Sequence, residues 1–371
     1  MIRKLFTVWF VLSISFTIPP LSLYGDIDEI KGYFIQHARL QYFDSIFDAR
    51  SFAMGGSTSV TAHGSSNMFQ NPSGIAWLSK PDLSLTFLWD EISGDDSAYF
   101  NFPNTSFTSI HEDICQGYIA SSIPIEEGQL GVAGFGLQFY QTDTNDWAEA
   151  KKQGLSAHLA FSKQILEEMT MGYLLSYHND DEENRSVDYN MNDGFWHMIG
   201  MQYQVSDDWI LGAAGFFGNG DIDSDIFSVG FQYGNRISFG GEIGISWKIW
   251  ESTQIAASFD IKNYALDSTV FSPFLTQNVD EDGHLYAFHL GVEQRIFDSS
   301  FLRAGYAFRE IEYNFNDSGL AFSMSDTIDF NAISAGLGWQ FSNHLSIDAA
   351  IEYRFINDDD ILSAVTINYK F

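Results

Sequence analysis

The chain has 371 residues and a net charge of −31, with 49 acidic residues against 18 basic. That excess of negative charge argues against nucleic acid as a partner, because phosphates would be repelled. A single cysteine, Cys115, excludes an intramolecular disulfide and any cysteine-built metal framework.

Taken from the N-terminus, Arg3 and Lys4 precede an apolar run from Leu5 to Ile18, which ends at Pro19-Pro20. This pattern reads as a secretory signal cleaved near Gly25, so residues 1–25 are expected to be removed. Beyond it no run of about 18 apolar residues occurs, so no helical membrane span is expected. Aromatics make up 16% of the chain and Pro is scarce at 7 residues, a balance that suits paired strands better than helices.

Residues 26–82 do not alternate between apolar and polar. They hold Asp48-Ala-Arg-Ser-Phe-Ala-Met-Gly-Gly-Ser57, then Val60-Thr-Ala-His63, then Asn71-Pro-Ser-Gly-Ile-Ala76. Small residues and the Gly55-Gly56 pair suit short helices in tight quarters, and Pro72 forces a turn after Asn71.

From about Leu83 onward the chain alternates. In the last segment Ile361, Ser363, Val365, Ile367, Tyr369 and Phe371 share one face, and Ala364, Thr366, Asn368 and Lys370 the other. Leu345 to Phe355 repeats the pattern, as does the strand that ends Ile333, Ala335, Leu337, Trp339, Phe341. Many of these segments run to 10–13 residues, the length that crosses a bilayer at a tilt. Trp209, Trp247, Trp250, Tyr353 and Phe371 sit at strand ends, as interfacial girdles require. Short turns are expected near Glu126, Leu166, Asp207, Glu251, Asp298 and Ser342. Long polar loops are expected near 90–114, 141–153, 180–193, 218–226, 265–283, 314–327 and 357–360. The two classes alternate only if Phe227 to Ile249 is one strand, and its apolar residues are all odd-numbered. A hairpin at Gly234-Asn235 is the rival reading, and it breaks the parity. The result is an all-β fold: a transmembrane antiparallel β-barrel of about 14 strands over 83–371, with 26–82 as an N-terminal segment.

Charged residues fall on the polar phase of the late strands: Arg236, Glu242, Asp260, Lys262, His289, Glu293, Arg303, Arg309, Asp348, Glu352 and Arg354. In a barrel they face inward, since Arg or Lys facing lipid near the midplane costs roughly 2–4 kcal/mol. One reading makes Arg295, Arg303 or Arg309 the cation for a carboxylate headgroup. The other makes these groups a network that ties neighbouring strands to the N-terminal segment. Acidic stretches such as Asp180–Glu183 and Asp358–Asp360 read as a solvated outer rim, and Asp221–Asp225 lacks the Gly and distal Glu of a calcium hand. No catalytic order, metal spacing, phosphate loop or Gly-x-Ser-x-Gly elbow stands out, so neither an enzyme nor a cofactor is expected.

The N-terminal motif resembles the plug of FadL-type outer-membrane proteins and is nearest the PorV-like branch, on Arg50, Met54, Gly55, Gly56, Asn71, Pro72, Gly74 and Ala76. Ser57 and Ser73 stand where that pattern has alanine. The acidic pair that commonly precedes Asn-Pro is replaced by His63-Gly64-Ser65-Ser66. The resemblance implies a small plug inside a 14-stranded barrel in the outer membrane, surrounded by its lipids. It implies passage of hydrophobic small molecules such as long-chain fatty acids to a lumenal pocket and then sideways through an interrupted wall. PorV-like members instead serve secreted proteins and their translocon, and a structural or adhesive surface barrel is a third possibility. The terminal Phe371 resembles the signal read by the outer-membrane assembly machinery.

Overall fold

Strand propensity and alternation produce the wall directly. In a computed structural model, residues 48–57, 59–61, 64–94, 110–144, 150–183, 187–226, 230–271, 276–317, 322–355 and 359–371 are described. The expected signal, residues 1–25, lies outside them, as does the plug segment before residue 48. Fourteen antiparallel strands close into a barrel in which β1 (Asp82–Gly94) pairs with β14 (Asp359–Lys370). Closure removes both sheet edges, the requirement for a sheet in lipid.

Between them run β2 (Ile110–Ile125), β3 (Gly131–Thr144), β4 (Ala150–Leu166), β5 (Met169–Glu183), β6 (Val187–Ser206) and β7 (Trp209–Ile226). Then come β8 (Gly230–Trp250), β9 (Thr253–Phe271), β10 (Thr276–Phe297), β11 (Ser300–Asp317), β12 (Phe322–Gln340) and β13 (Leu345–Phe355). Strand β8 is one 21-residue strand, so the hairpin at Gly234-Asn235 is not formed. The apolar phase faces outward: Ile237, Phe239, Ile243, Ile245 and Trp247 are all exposed on β8. The polar phase faces in, with Asp348, Glu352 and Arg354 buried on β13. Stacked Trp209 and Trp247 (5.0 Å) mark the end of the wall that carries the short turns.

Two expectations are corrected. The long loops are largely strand: Asp180–Glu183 pairs with Asp188–Met191, and Thr276–Gly283 continues β10. Beyond the bilayer both faces of a strand meet water, so alternation disappears from the sequence while the ladder continues. The interrupted wall is also absent among the described residues. Among the described pairings, register shifts fall at the short turns, at Gln164/Leu166, Gln204/Ser206, Lys248/Trp250 and Arg295/Phe297, and at one place toward the opposite end of the wall, Asn179/Asp180 and Met191/Asp193, where pairing resumes on both sides.

Candidate functional site

The segment before β1 folds into the lumen as three short pieces: helix α1 (Ala49–Ala53) and two 3-10 turns, Ser65–Phe69 and Pro72–Trp77. A five-residue helix is not stable alone, so its ends are pinned. Asp48 caps it, accepting from the Arg50 N–H at 2.9 Å and the Ser51 hydroxyl at 2.7 Å, and the Ala49 N–H donates to Thr366 Oγ1 at 2.8 Å. Phe52 is fully buried with Ala49 and Ala53 against Leu88, Ala350, Leu362 and Ala364. Burying such a ring is worth about 1.5–3 kcal/mol. The 3-10 turns bury Met68, Phe69 and Ile75 against Tyr118, Val132 and Leu174.

The wall meets this plug with glycine. A Cβ on Gly172, Gly200, Gly212, Gly244, Gly291, Gly305 or Gly336 would run into plug atoms, from Ala53 through Ser59 to Ser73. On the plug side Gly55 and Gly56 have φ of +69° and +88°, and a Cβ on Gly55 would stand 2.6 Å from the Tyr306 carbonyl oxygen. Only glycine meets both demands, a left-handed backbone and backbone-to-backbone approach.

Ion pairs fix the plug on one side. Arg50 reaches Glu293 through Nε (2.9 Å) and an NH2 group (3.0 Å). Glu293 also accepts from Arg303 Nε at 2.6 Å, and Arg303 donates to Asp348 at 2.6 Å. Burial alone would pull the Arg50 pKa down; the Glu293 carboxylate reverses this and holds it above the usual arginine value. On the other side Asn71 Nδ2 donates to the Ser59 carbonyl at 2.7 Å, and its Oδ1 accepts from the Ser73 hydroxyl at 2.6 Å. Gln202 donates to the same Ser59 carbonyl at 3.1 Å and accepts from Trp77 Nε1 at 2.9 Å.

The motif residues therefore share one interface. Met54 is buried with Val60 and Ala256, Pro72 opens the second 3-10 turn, and the Gly74 N–H donates to the Asn71 carbonyl at 3.0 Å. The three arginines expected at a headgroup do not converge. Arg303 is in the chain of ion pairs, and Arg309 pairs with Glu352 at 3.2 Å and lies over the Phe330 ring. Arg295 is exposed at a turn and donates to the Glu251 carbonyl at 3.1 Å.

An arc of rings on β2–β7 escaped the sequence reading. From Tyr118 it passes to the plug's Phe69 (6.0 Å), then His158 (4.6 Å), His178 (5.6 Å), Trp196 (5.4 Å) and Phe216 (5.5 Å). His158 pairs with Ser176 at 2.7 Å and His178 with Ser156 at 2.6 Å across β4 and β5. On each of these strands the ring shares the inward phase with small or polar residues, and only the register sets the rings side by side.

Fold and site together define a class: a closed membrane barrel whose lumen is stoppered by its own N-terminal segment. The chain has the fold of the FadL-type channels. It is similar to the toluene transporter TodX of Pseudomonas putida, with 13% identity, 88% of this chain and 98% of that chain covered, and a TM-score of 0.59. It is also similar to a FadL homologue of Pseudomonas aeruginosa (12%, 89% and 99%, TM-score 0.61) and to the toluene transporter TbuX of Ralstonia pickettii (13%, 88% and 98%, TM-score 0.54). No family model and no curated protein matches the sequence.

Proposed function

We propose that the protein is an outer-membrane channel for hydrophobic small molecules, exported by residues 1–25, plugged by 26–82 and walled by 83–371. The observation that carries this reading is the ring arc. Trp196, Phe216 and His178 are only half-buried and turn their faces into the lumen, whereas the inward rings of Tyr118, Tyr264 and Phe330 are fully packed. A wall that served only as scaffold could fill those positions with small polar residues, as β9 does with Ser258 and Ser268. Apolar faces beside a few polar groups are what binds an apolar ligand. The proteins that share the fold include two described as toluene transporters, which supports the same class of cargo. In this reading Arg303 and Arg309 hold the wall and plug, and passage past the glycine contacts requires the plug to shift. Uptake of a labelled long-chain fatty acid and of toluene into proteoliposomes tests it. Uptake above protein-free vesicles, reduced by Trp196→Ala together with Phe216→Ala, is expected; uptake equal to protein-free vesicles for both compounds refutes it.

A further inference from the structure

The third side of the plug faces β8–β10. There Glu242, Ser258, Asp260 and His289 project inward from three adjacent strands, with Glu242 opposite Asp260 and Ser258 opposite His289. The plug enters this corner at Gly55–Ser59. Ser59 N–H donates to Glu242 at 3.0 Å, and His289 Nδ1 bonds the Gly55 carbonyl. Asp260 Oδ2 lies 3.4 Å from His289 Nε2 and 3.5 Å from Lys262 Nζ. Three oxygens here, Ser59 Oγ, Ser258 Oγ and Asp260 Oδ1, have no protein partner, and their residues are 0%, 4% and 6% exposed. Buried polar atoms are normally satisfied, and these three oxygens, with His289 Nε2 beside them, are grouped on adjacent strands where a ligand's donors could meet them. The corner lies one inward row from Phe216, in the row of Gly240 and Lys262.

We propose that this corner receives the polar end of the transported molecule, and that this end is a hydrogen-bond donor, a hydroxyl or an amine, rather than a carboxylate. The inference rests on the transport reading above. Asp260 Oδ1 can only accept a hydrogen bond while ionised, and Glu242 adds a second carboxylate beside it. The cations suited to a carboxylate are engaged, Arg303 by Glu293 and Asp348, Arg309 by Glu352, and Lys262 in the corner itself by Asp260. With its head in the corner, the apolar remainder of the ligand lies along Phe216 and Trp196, whose rings are stacked at 5.5 Å.

The test is equilibrium dialysis of the full chain in detergent against 1-octanol, octylamine and octanoate, with protein-free detergent as the blank. Salt of about 0.5 M screens the acidic exterior. Octanol and octylamine are expected to bind about tenfold more tightly than octanoate, the worth of one charge-assisted hydrogen bond. Asp260→Asn is expected to narrow the preference for octylamine over octanoate by a similar factor, and Ser258→Ala to weaken octanol. Octanoate binding as tightly as octanol overturns the proposal on the unmodified protein alone, whatever the variants do to folding. An unchanged preference in both variants also overturns it. If octane and toluene cross proteoliposomes while none of the three probes binds, this inference falls and the transport reading stands. If nothing crosses, the transport reading falls with it.

Discussion

Breaking the ion pairs at Glu293 gives the sharpest test of how the plug is held. Glu293 is the shared acceptor for Arg50 on the plug and Arg303 on the wall, and the Arg303 side chain is only 4% exposed. Glu293→Gln leaves Arg50 without its carboxylate and Arg303 with Asp348 alone. Removing one member of a buried pair costs roughly 3–5 kcal/mol. Arg50→Met is milder, because Glu293 keeps Arg303 and the Arg50 side chain is 19% exposed; about 2 kcal/mol is expected for the lost charge-assisted bonds. At about 1.4 kcal/mol per tenfold, Glu293→Gln raises the unseated plug population at least about a hundredfold and Arg50→Met roughly thirtyfold. Planar-bilayer recordings read this as open events, and limited proteolysis reads it as cleavage within the plug while the barrel stays resistant. The double variant is expected to cost less than the sum, since the two residues share one interaction. Wild-type conductance and proteolysis in Glu293→Gln, or a larger effect from Arg50→Met, would refute the reasoning.

Other positions give independent checks. Gly305→Val is expected to expel the plug while the barrel still forms, because its Cβ would overlap the Gly55 backbone; Gly215→Ala on the lipid face, with only the Gly240 carbonyl at 3.6 Å, is expected to be neutral in the same proteolysis assay. Asn71→Ala removes the donor to the Ser59 carbonyl and the acceptor for Ser73, costing about 1–3 kcal/mol, and hydrogen exchange of the plug amides is expected to rise while the wall is unchanged. Deleting Phe371 removes the bond from its N–H to the Pro81 carbonyl at 3.0 Å and the terminal ring packed on Tyr369; yield of assembled barrel in membranes is expected to fall without loss of plug seating in the fraction that assembles.

The wall was legible because each strand meets two different solvents, and a period of two carries that difference in the sequence. Strand β8 shows how far this reaches: parity alone chose one strand over a hairpin. The signal stops where the solvents become the same, which is why Asp180–Glu183 read as loop and is strand. The plug was legible as a motif but not as an interface. Nothing in the spacing of Arg50 and Glu293, 243 residues apart, says that they meet. The ring arc was missed for another reason. His158, His178, Trp196 and Phe216 occupy the phase expected to be polar, and each looks ordinary on its own strand. Only register brings them together.

The bond from Ala49 to Thr366 spans 317 residues. The first described helix of the chain is thus completed by its last strand, and β1 closes on β14 beside the point where the plug joins the wall. Because so many wall strands leave a notch for the same stopper, the stopper cannot be threaded in afterwards without passing a lumen shaped to grip it. An order of assembly is expected from this: the N-terminal segment lies against the nascent sheet before the final hairpin of β13 and β14 closes on β1. A chain halted before β14 is expected to carry an unplugged, unzipped sheet rather than a smaller working channel.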